Sequence, residues 1–181
     1  MALVEAYDSP ILVTGAAGFI GAAVCHALMA EGHEVVGVDS LNEYYDVGLK
    51  QYRLNTLLQE KAFSFLQLNL ADAQAVASLF SKHRFQLVIH LAAQAGVRYS
   101  LENPGAYIES NILGFQSILD ACREHVPAHL VFASSSSVYG NSQIRHSPRA
   151  TERTHQSAFM RPLKNPTRWS AIAIRRCMAY P

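Results

Sequence analysis

A glycine-rich turn near the N-terminus carries the clearest chemical signal in the sequence. Gly15, Gly18 and Gly21 are spaced G-x-x-G-x-x-G, directly after an apolar run at Ile11–Thr14 and before a helical segment. Glycines at such a turn let the backbone approach a pyrophosphate closely. The N-terminus of a helix adds free N–H groups and the positive end of its dipole. A glycine pattern alone is weak evidence, because glycines often only relieve packing.

An acidic residue strengthens this interpretation. Asp39 stands 21 residues after Gly18, at the end of the next apolar run. A carboxylate at this place binds the hydroxyls of an adenosine ribose and would repel a 2′-phosphate. The turn and the acid together predict a dinucleotide site that prefers NAD to NADP.

The elements that must position these residues alternate along the first two-thirds of the chain. Apolar runs predict five buried strands, at 11–14, 34–38, 63–67, 86–90 and 129–133. Helical segments lie between them, at 19–31, 47–60, 72–83 and 104–125, with Asp72 predicted as an N-cap and Pro104 in a first turn. This alternation predicts βαβ units in a doubly wound parallel sheet, an α/β fold of the Rossmann type.

The regular pattern stops after Gln143. We therefore expect a domain over residues 1–143 and an irregular tail over 144–181 that lies outside an incomplete fold. The charges divide at the same place, with seven Lys/Arg and 13 Asp/Glu before it and eight Lys/Arg and one acid, Glu152, after it. A basic tail of this kind can bind nucleic acid or a membrane.

Four further segments, taken together, resemble one family. They are residues 90–100 (HLAAQAGVRYS), 39–45 (DSLNEYY), 133–140 (ASSSSVYG) and the pair Asn111-x-x-Gly114. Each resembles a segment of the NAD-dependent epimerase/dehydratase family, which belongs to the extended short-chain dehydrogenases/reductases. Among its members they are most similar to epimerases of uronic-acid nucleotide sugars, and the resemblance covers residues 10–143.

The resemblance implies NAD as the cofactor. By that resemblance the pyrophosphate is held by Gly15, Gly18, Phe19, Ile20 and Gly21, and the ribose by Asp39. The other positions that it assigns to the cofactor are Asn42, Asn69, Leu70, Ala92, Ala93 and Asn111. The family usually has Asp where Asn69 stands, but an Asn side chain keeps one acceptor oxygen for the adenine amino group.

The resemblance also implies a reaction on a UDP-sugar, a uronate in the nearest members. Ser135 takes the place of the catalytic hydroxyl that bonds the reacting sugar oxygen, and Arg98 and Ser136 are candidate substrate ligands. Sugar dehydratases of the family carry Asp-Glu where Ser136 and Ser137 stand, because elimination of water needs an acid and a base. Epimerisation needs neither, so an epimerase is favoured over a dehydratase fragment. The intact protein is expected to be a homodimer.

One departure from the family concerns catalysis. The family's Tyr-x-x-x-Lys dyad is missing, since Tyr139 has no Lys four residues on and Tyr180 precedes only Pro181. Residues 159–165 can be reverse-translated with codons that encode Tyr-Ala-Ala-Thr-Lys-Lys when they are read one nucleotide out of phase. We therefore expect a frameshift just after Gln143 and an inactive chain. A non-catalytic NAD-binding module with a recruited basic tail is the alternative.

The remaining composition argues for an ordinary cytoplasmic protein. Cys25, Cys122 and Cys177 have no metal-ligand spacing, so reduced thiols and no metal site are expected. No secretory signal and no apolar run of about 18 residues is present, so no membrane partner is expected. An out-of-frame origin of the tail also removes the reason to expect nucleic-acid binding.

Overall fold

One parallel sheet organises residues 9–134, the part of the chain that the computed structural model describes. Its strands are β1 (Ile11–Thr14), β2 (Val35–Asp39), β3 (Phe63–Gln67), β4 (Leu87–His90) and β5 (His129–Phe132). Their order is β3-β2-β1-β4-β5 and every pairing is parallel. This order confirms the predicted doubly wound fold. Ser135, Ser136 and the boundary expected at Gln143 lie outside the described residues.

The helices follow the predicted segments, with ends that differ by a few residues. Asp72 caps the third helix as predicted, because its Oδ1 accepts the Ala75 N–H at 3.0 Å. The helices are α1 (Phe19–Ala30), α2 (Val47–Leu57), α3 (Ala73–Lys82), α4 (Tyr99–Glu102), α5 (Pro104–Ile108) and α6 (Gly114–Glu124). The four-residue α4 is too short to give a period and was not predicted.

The helix predicted over 104–125 contains a π-helical turn, Glu109–Leu113, between α5 and α6. Ile108 and Gly114 on either side keep right-handed helical backbone, so the stretch is continuous. A π turn inserts one extra residue into a helix and often lies at a functional site. Here it carries the buried Asn111.

Apolar layers cover both faces of the sheet. Leu12 of β1 belongs to one layer, while its neighbours Ile11 and Val13 belong to the other, as the alternation of a strand requires. The first layer includes Val76 and Phe80 of α3 and Ile118 of α6, and the second includes Cys25 of α1 and Leu54 and Leu57 of α2. Burial on both faces explains why β1, β2 and β4 are continuous apolar runs. The prediction of buried strands was wrong for the two edge strands, because only Phe63 is buried in β3 and no residue is buried in β5.

Candidate functional site

The candidate site lies at the carboxyl ends of three neighbouring strands. β1 is paired with β2 on one side and with β4 on the other. The first three strands extend the sheet to one side of β1, and the chain then crosses to the other side of β1 to form β4. In parallel sheets of this kind, ligands bind in the crevice where the strand order reverses. Gly15 follows β1, Asp39 ends β2, and Ala92 lies two residues after β4.

Gly15 opens the glycine-rich turn in a backbone conformation that other residues rarely adopt. Its φ is +73°, and a Cβ there would lie 2.9 Å from the Ala92 nitrogen. The Gly15 and Ala16 N–H groups donate to the Val38 carbonyl at 2.7 and 3.1 Å. The turn is thus tied to β2 and packed directly against the segment after β4.

The other two glycines of the motif bring the start of α1 against Gly15. The Gly18 N–H donates to the Gly15 carbonyl at 3.0 Å, and a Cβ on Gly21 would overlap that carbonyl oxygen. Gly18 is the N-cap of α1 and offers no side-chain bond, so the first N–H groups of the helix have no cap. The side chains of Phe19 and Ile20 are 79% and 64% exposed. A pyrophosphate therefore fits this turn through backbone N–H groups.

Asp39 is held between the turn and the loop after β2. Its Oδ2 accepts the Ala17 N–H at 3.1 Å and its Oδ1 accepts the Leu41 N–H at 2.9 Å. Leu41 has a φ of +54°, an uncommon conformation for a residue other than glycine. A carboxylate oxygen accepts more than one hydrogen bond, so both oxygens keep capacity for ribose hydroxyls.

Asn42 is bound by a lysine that the sequence analysis missed. Lys50 Nζ donates to the Asn42 backbone carbonyl at 2.7 Å and to its Oδ1 at 2.6 Å. Lys50 is only 4% exposed, and its Nζ lies 4.5 Å from the centre of the Tyr45 ring. Burial lowers the pKa of Lys50, and the negative charge of Asp39 partly offsets that shift. A cation therefore lies near the predicted ribose ligand.

Ala92 and Ala93 line an open cleft at the end of β4. His90, Asn111, Phe115, Phe132 and Ala133 complete its lining. Thr14 at the end of β1 fixes the start of this segment, because its Oγ1 contacts His90 Nδ1 at 2.9 Å and accepts the Ala92 N–H at 3.1 Å. The small alanine side chains leave room for a ligand beside the sheet.

The Asn-x-x-Gly motif packs the helix against the site. Asn111 Oδ1 accepts the Gln94 N–H at 2.7 Å, and Asn111 Nδ2 donates to the Gln94 carbonyl at 3.0 Å. A Cβ on Gly114 would lie 3.1 Å from Leu70 Cβ, so glycine permits this close approach. Asn111 lines the cleft, but both ends of its amide already have partners in the protein.

The remaining predicted ligands lie away from the cleft lining. Asn69 Nδ2 donates to Glu109 Oε1 at 2.7 Å, and Asn69 Oδ1 accepts the Ala71 N–H at 3.0 Å. The Leu70 side chain is 7% exposed and belongs to the apolar core. Arg98 is exposed at the start of α4. The ligand roles of these residues stay predictions.

Outside the cleft, the described residues offer little further chemistry. Burial raises the pKa of the Cys25 and Cys122 thiols to about 12, so both are protonated at neutral pH. Within residues 9–134, no group of His, Cys, Asp or Glu could hold a metal ion. In the same part of the chain, no helix combines the length and hydropathy needed to cross a membrane.

Residues 11–166 match the family described as the NAD dependent epimerase/dehydratase family. The chain belongs to this family. The resemblance found in the sequence is therefore confirmed. The matched segment continues past Gln143, and the domain boundary placed there stays a prediction.

Individual relatives agree with the family. The chain is 48% identical over 128 residues to a UDP-glucuronate 4-epimerase of Thermodesulfobacterium geofontis, covering 71% of this chain and 40% of that protein. It is 45% identical over 152 residues to UDP-glucuronate 4-epimerase 2 of Arabidopsis thaliana, covering 83% and 34%. The crystal structure of UDP-glucuronic acid 4-epimerase from Bacillus cereus with UDP-glucuronic acid and NAD is similar with a TM-score of 0.83 at 28% identity. That alignment covers 92% of this chain and 52% of that one.

The chain thus spans 40% or less of the length of these two curated relatives. The segment that matches the family, residues 11–166, contains the glycine-rich turn, Asp39 and the residues after β4.

Proposed function

We propose that this chain binds NAD at the carboxyl ends of β1, β2 and β4, and that the complete protein epimerises C4 of a UDP-hexuronate. The observation that carries the proposal is the position of Asp39. Its carboxylate is oriented by the Ala17 and Leu41 N–H groups, beside a turn where glycines leave room for a pyrophosphate. The names of the relatives support the sugar and the reaction.

Each part of the site at the carboxyl ends of β1, β2 and β4 has a distinct task in this proposal. The uncapped N-terminus of α1 binds the pyrophosphate charge, and Asp39 accepts hydrogen bonds from the adenosine ribose. Ala92 and Ala93 leave space for the other half of the cofactor. The other predicted cofactor ligands would contact NAD through backbone or side-chain atoms that make no hydrogen bond within the protein. These residues are Asn42, Asn69, Leu70 and Asn111.

NAD held by the glycine-rich turn and Asp39 would supply the hydride chemistry that epimerisation at C4 of the sugar requires. The protein's contribution is binding and orientation. Ser135 would donate a hydrogen bond to the reacting oxygen, and Ser136 and Arg98 would contact the substrate. Ser136 and Ser137 have no group that could act as acid or base at neutral pH, which argues against a dehydratase.

We propose further that the 181-residue chain does not complete this reaction. No tyrosine in the sequence has a lysine four residues later, so the lysine that would lower the pKa of the catalytic phenol in a Tyr-x-x-x-Lys dyad is missing. General-base assistance is worth about 10²–10⁴ in rate. A chain that binds NAD but does not turn over UDP-glucuronate would agree equally with a non-catalytic NAD-binding module, and sequencing the gene beyond the Gln143 codon separates the two.

The experiment that tests NAD binding removes the ribose ligand. Asp39→Ala should weaken NAD binding by about 1.5–3 kcal/mol, because hydrogen bonds to a charged group are lost. Glu43→Ala is a matched control, since it removes an exposed carboxylate four residues away. Titration calorimetry gives both affinities. Equal loss in the two variants would show that general charge, and not ribose binding, is measured.

A further inference from the structure

Two loops on opposite sides of β1 contact each other. We call residues 40–46, after β2, the ribose loop and residues 91–98, after β4, the β4 loop. Asn42 Nδ2 donates to Gln94 Oε1 at 3.4 Å, joining side chains 52 positions apart in the sequence. β2 and β4 flank β1, so this contact crosses the carboxyl end of β1. We call the contact the loop bridge.

A second contact supports the loop bridge. Gly96 has a φ of +93°, and a Cβ there would overlap the hydroxyl of Tyr44 from the ribose loop. The Tyr44 ring also packs on Tyr99, with the ring centres 4.8 Å apart. The two loops are therefore packed together as well as hydrogen-bonded.

Gln94 is fixed from the side of the π-helical turn. It is 3% exposed, and Asn111 pairs with both its backbone N–H and its carbonyl. The Tyr107 hydroxyl lies within hydrogen-bond distance of the carbonyls of the next two residues, Ala95 and Gly96, and its single proton is shared between them. These bonds hold the backbone of the β4 loop and do not involve the Gln94 side chain. The side chain itself donates from Nε2 to the Ala95 carbonyl at 3.3 Å, and its Oε1 is the atom that accepts from the ribose loop.

Asn42 is fixed from the opposite side by Lys50. An ammonium group only donates hydrogen bonds, so the Asn42 atom that it contacts at 2.6 Å is the oxygen. The Asn42 amide nitrogen must then face Gln94 Oε1, an acceptor. The buried lysine thereby sets the direction of the loop bridge.

We infer that Gln94 is a positioning residue that holds the two halves of the cofactor site at a fixed spacing. The inference rests on the proposed NAD binding. In that proposal Asp39, next to the ribose loop, contacts the adenosine half of the dinucleotide, and Ala92 and Ala93 of the β4 loop lie beside the other half. A site held in its binding geometry loses less freedom when the ligand binds. Loss of the loop bridge should therefore weaken a ligand that contacts both loops. It should spare a ligand that reaches only the turn and Asp39.

The test compares NAD with ADP, which has the adenosine and the phosphates but not the nicotinamide half. Calorimetric titrations of the full chain use Gln94→Met, which keeps the side-chain length but removes its polar end. NAD affinity should fall about 2- to 12-fold, the scale of one neutral hydrogen bond, while ADP affinity stays unchanged. Gln116→Met, an exposed position on α6, is the matched control.

The outcomes separate this inference from the proposed function. The positioning role is overturned if Gln94→Met binds NAD as tightly as the unaltered chain, or if it loses NAD and ADP affinity equally. Either result leaves the proposed NAD binding intact. An unaltered chain that binds neither ligand contradicts the proposed function and removes the basis of the inference. Gln94→Ala should give the same selective loss as Gln94→Met, and it serves if methionine disturbs the packing.

Discussion

Replacing Gly21 by alanine would place a methyl group against the carbonyl of Gly15. The added Cβ would overlap the Gly15 oxygen and lie 2.7 Å from the Gly15 carbonyl carbon and 3.1 Å from Ala16 Cα. These are backbone atoms, so no side-chain rotation relieves the contact, and the turn itself must move.

The expected cost follows from two opposing effects. Overpacking of this kind costs about 1–3 kcal/mol. Alanine in place of glycine inside a helix returns up to about 1 kcal/mol, because Gly21 lies in the first turn of α1. The free energy of unfolding should therefore fall by about 1–2 kcal/mol. A displaced turn that loses one hydrogen bond to the pyrophosphate should weaken NAD binding by about 10- to 150-fold.

Urea unfolding and calorimetric titration measure the two effects separately. Gly105→Ala in α5 is the control, because its nearest side-chain atom, Asn103 Oδ1, would lie 3.6 Å from the new Cβ. That variant should be neutral or stabilised by up to about 1 kcal/mol, with unchanged NAD affinity. If Gly21→Ala unfolds at the same urea concentration as the parent and binds NAD equally well, the close approach of α1 to Gly15 does not form the phosphate site.

Three other predictions concern stability and the gene. Asp72→Ala should lower the free energy of unfolding by about 1 kcal/mol in urea titration because α3 loses its N-cap bond to Ala75, and no change would show that the cap is unimportant. Burial raises the pKa of Cys25 and Cys122 from 9.0 to about 12, so the folded chain retains thiol protons that the unfolded chain loses. The free energy of unfolding should therefore fall between pH 9 and pH 12, by up to about 1.4 kcal/mol per pH unit for each thiol. If the pH dependence of that free energy is unchanged in Cys25→Ala, the thiols are not its cause. Restoring one base near codon 144 should open a reading frame that encodes Tyr-x-x-x-Lys and a further lobe of roughly 150 residues. The restored protein should convert UDP-glucuronate, and the 181-residue chain should not. If the alternative reading frame reaches a stop codon at once, the frameshift is refuted.

The sequence was sufficient to predict the parts of the site that depend on local backbone chemistry. The spacing of Gly15, Gly18 and Gly21 between a strand and a helix predicts the turn, and the position of Asp39 at a strand end predicts its place beside that turn. Parallel strands bring their carboxyl ends to one edge, so these residues meet without any knowledge of side-chain packing.

The contacts between distant side chains could not be predicted in this way. Asn42 and Gln94 are 52 positions apart, and their hydrogen bond depends on how two loops lie over β1. Lys50 falls in a helix of mixed polarity, where a lysine is ordinarily exposed, and its burial depends on Asn42 and Tyr45. The π-helical turn could not be predicted from the apolar pattern either. Its extra residue changes only which positions face the core in the part of the helix that follows the turn.

The central claim is that the site at the carboxyl ends of β1, β2 and β4, which includes Asp39, binds NAD in preference to NADP. Calorimetric titration of the 181-residue chain with each dinucleotide tests it most directly, since both carry the same pyrophosphate and differ at the ribose that Asp39 would contact. NAD should bind with one site per chain and NADP at least about tenfold more weakly, because the 2′-phosphate displaces a hydrogen bond to the carboxylate and meets its charge. Equal affinity for the two, or no binding of NAD, would contradict the account.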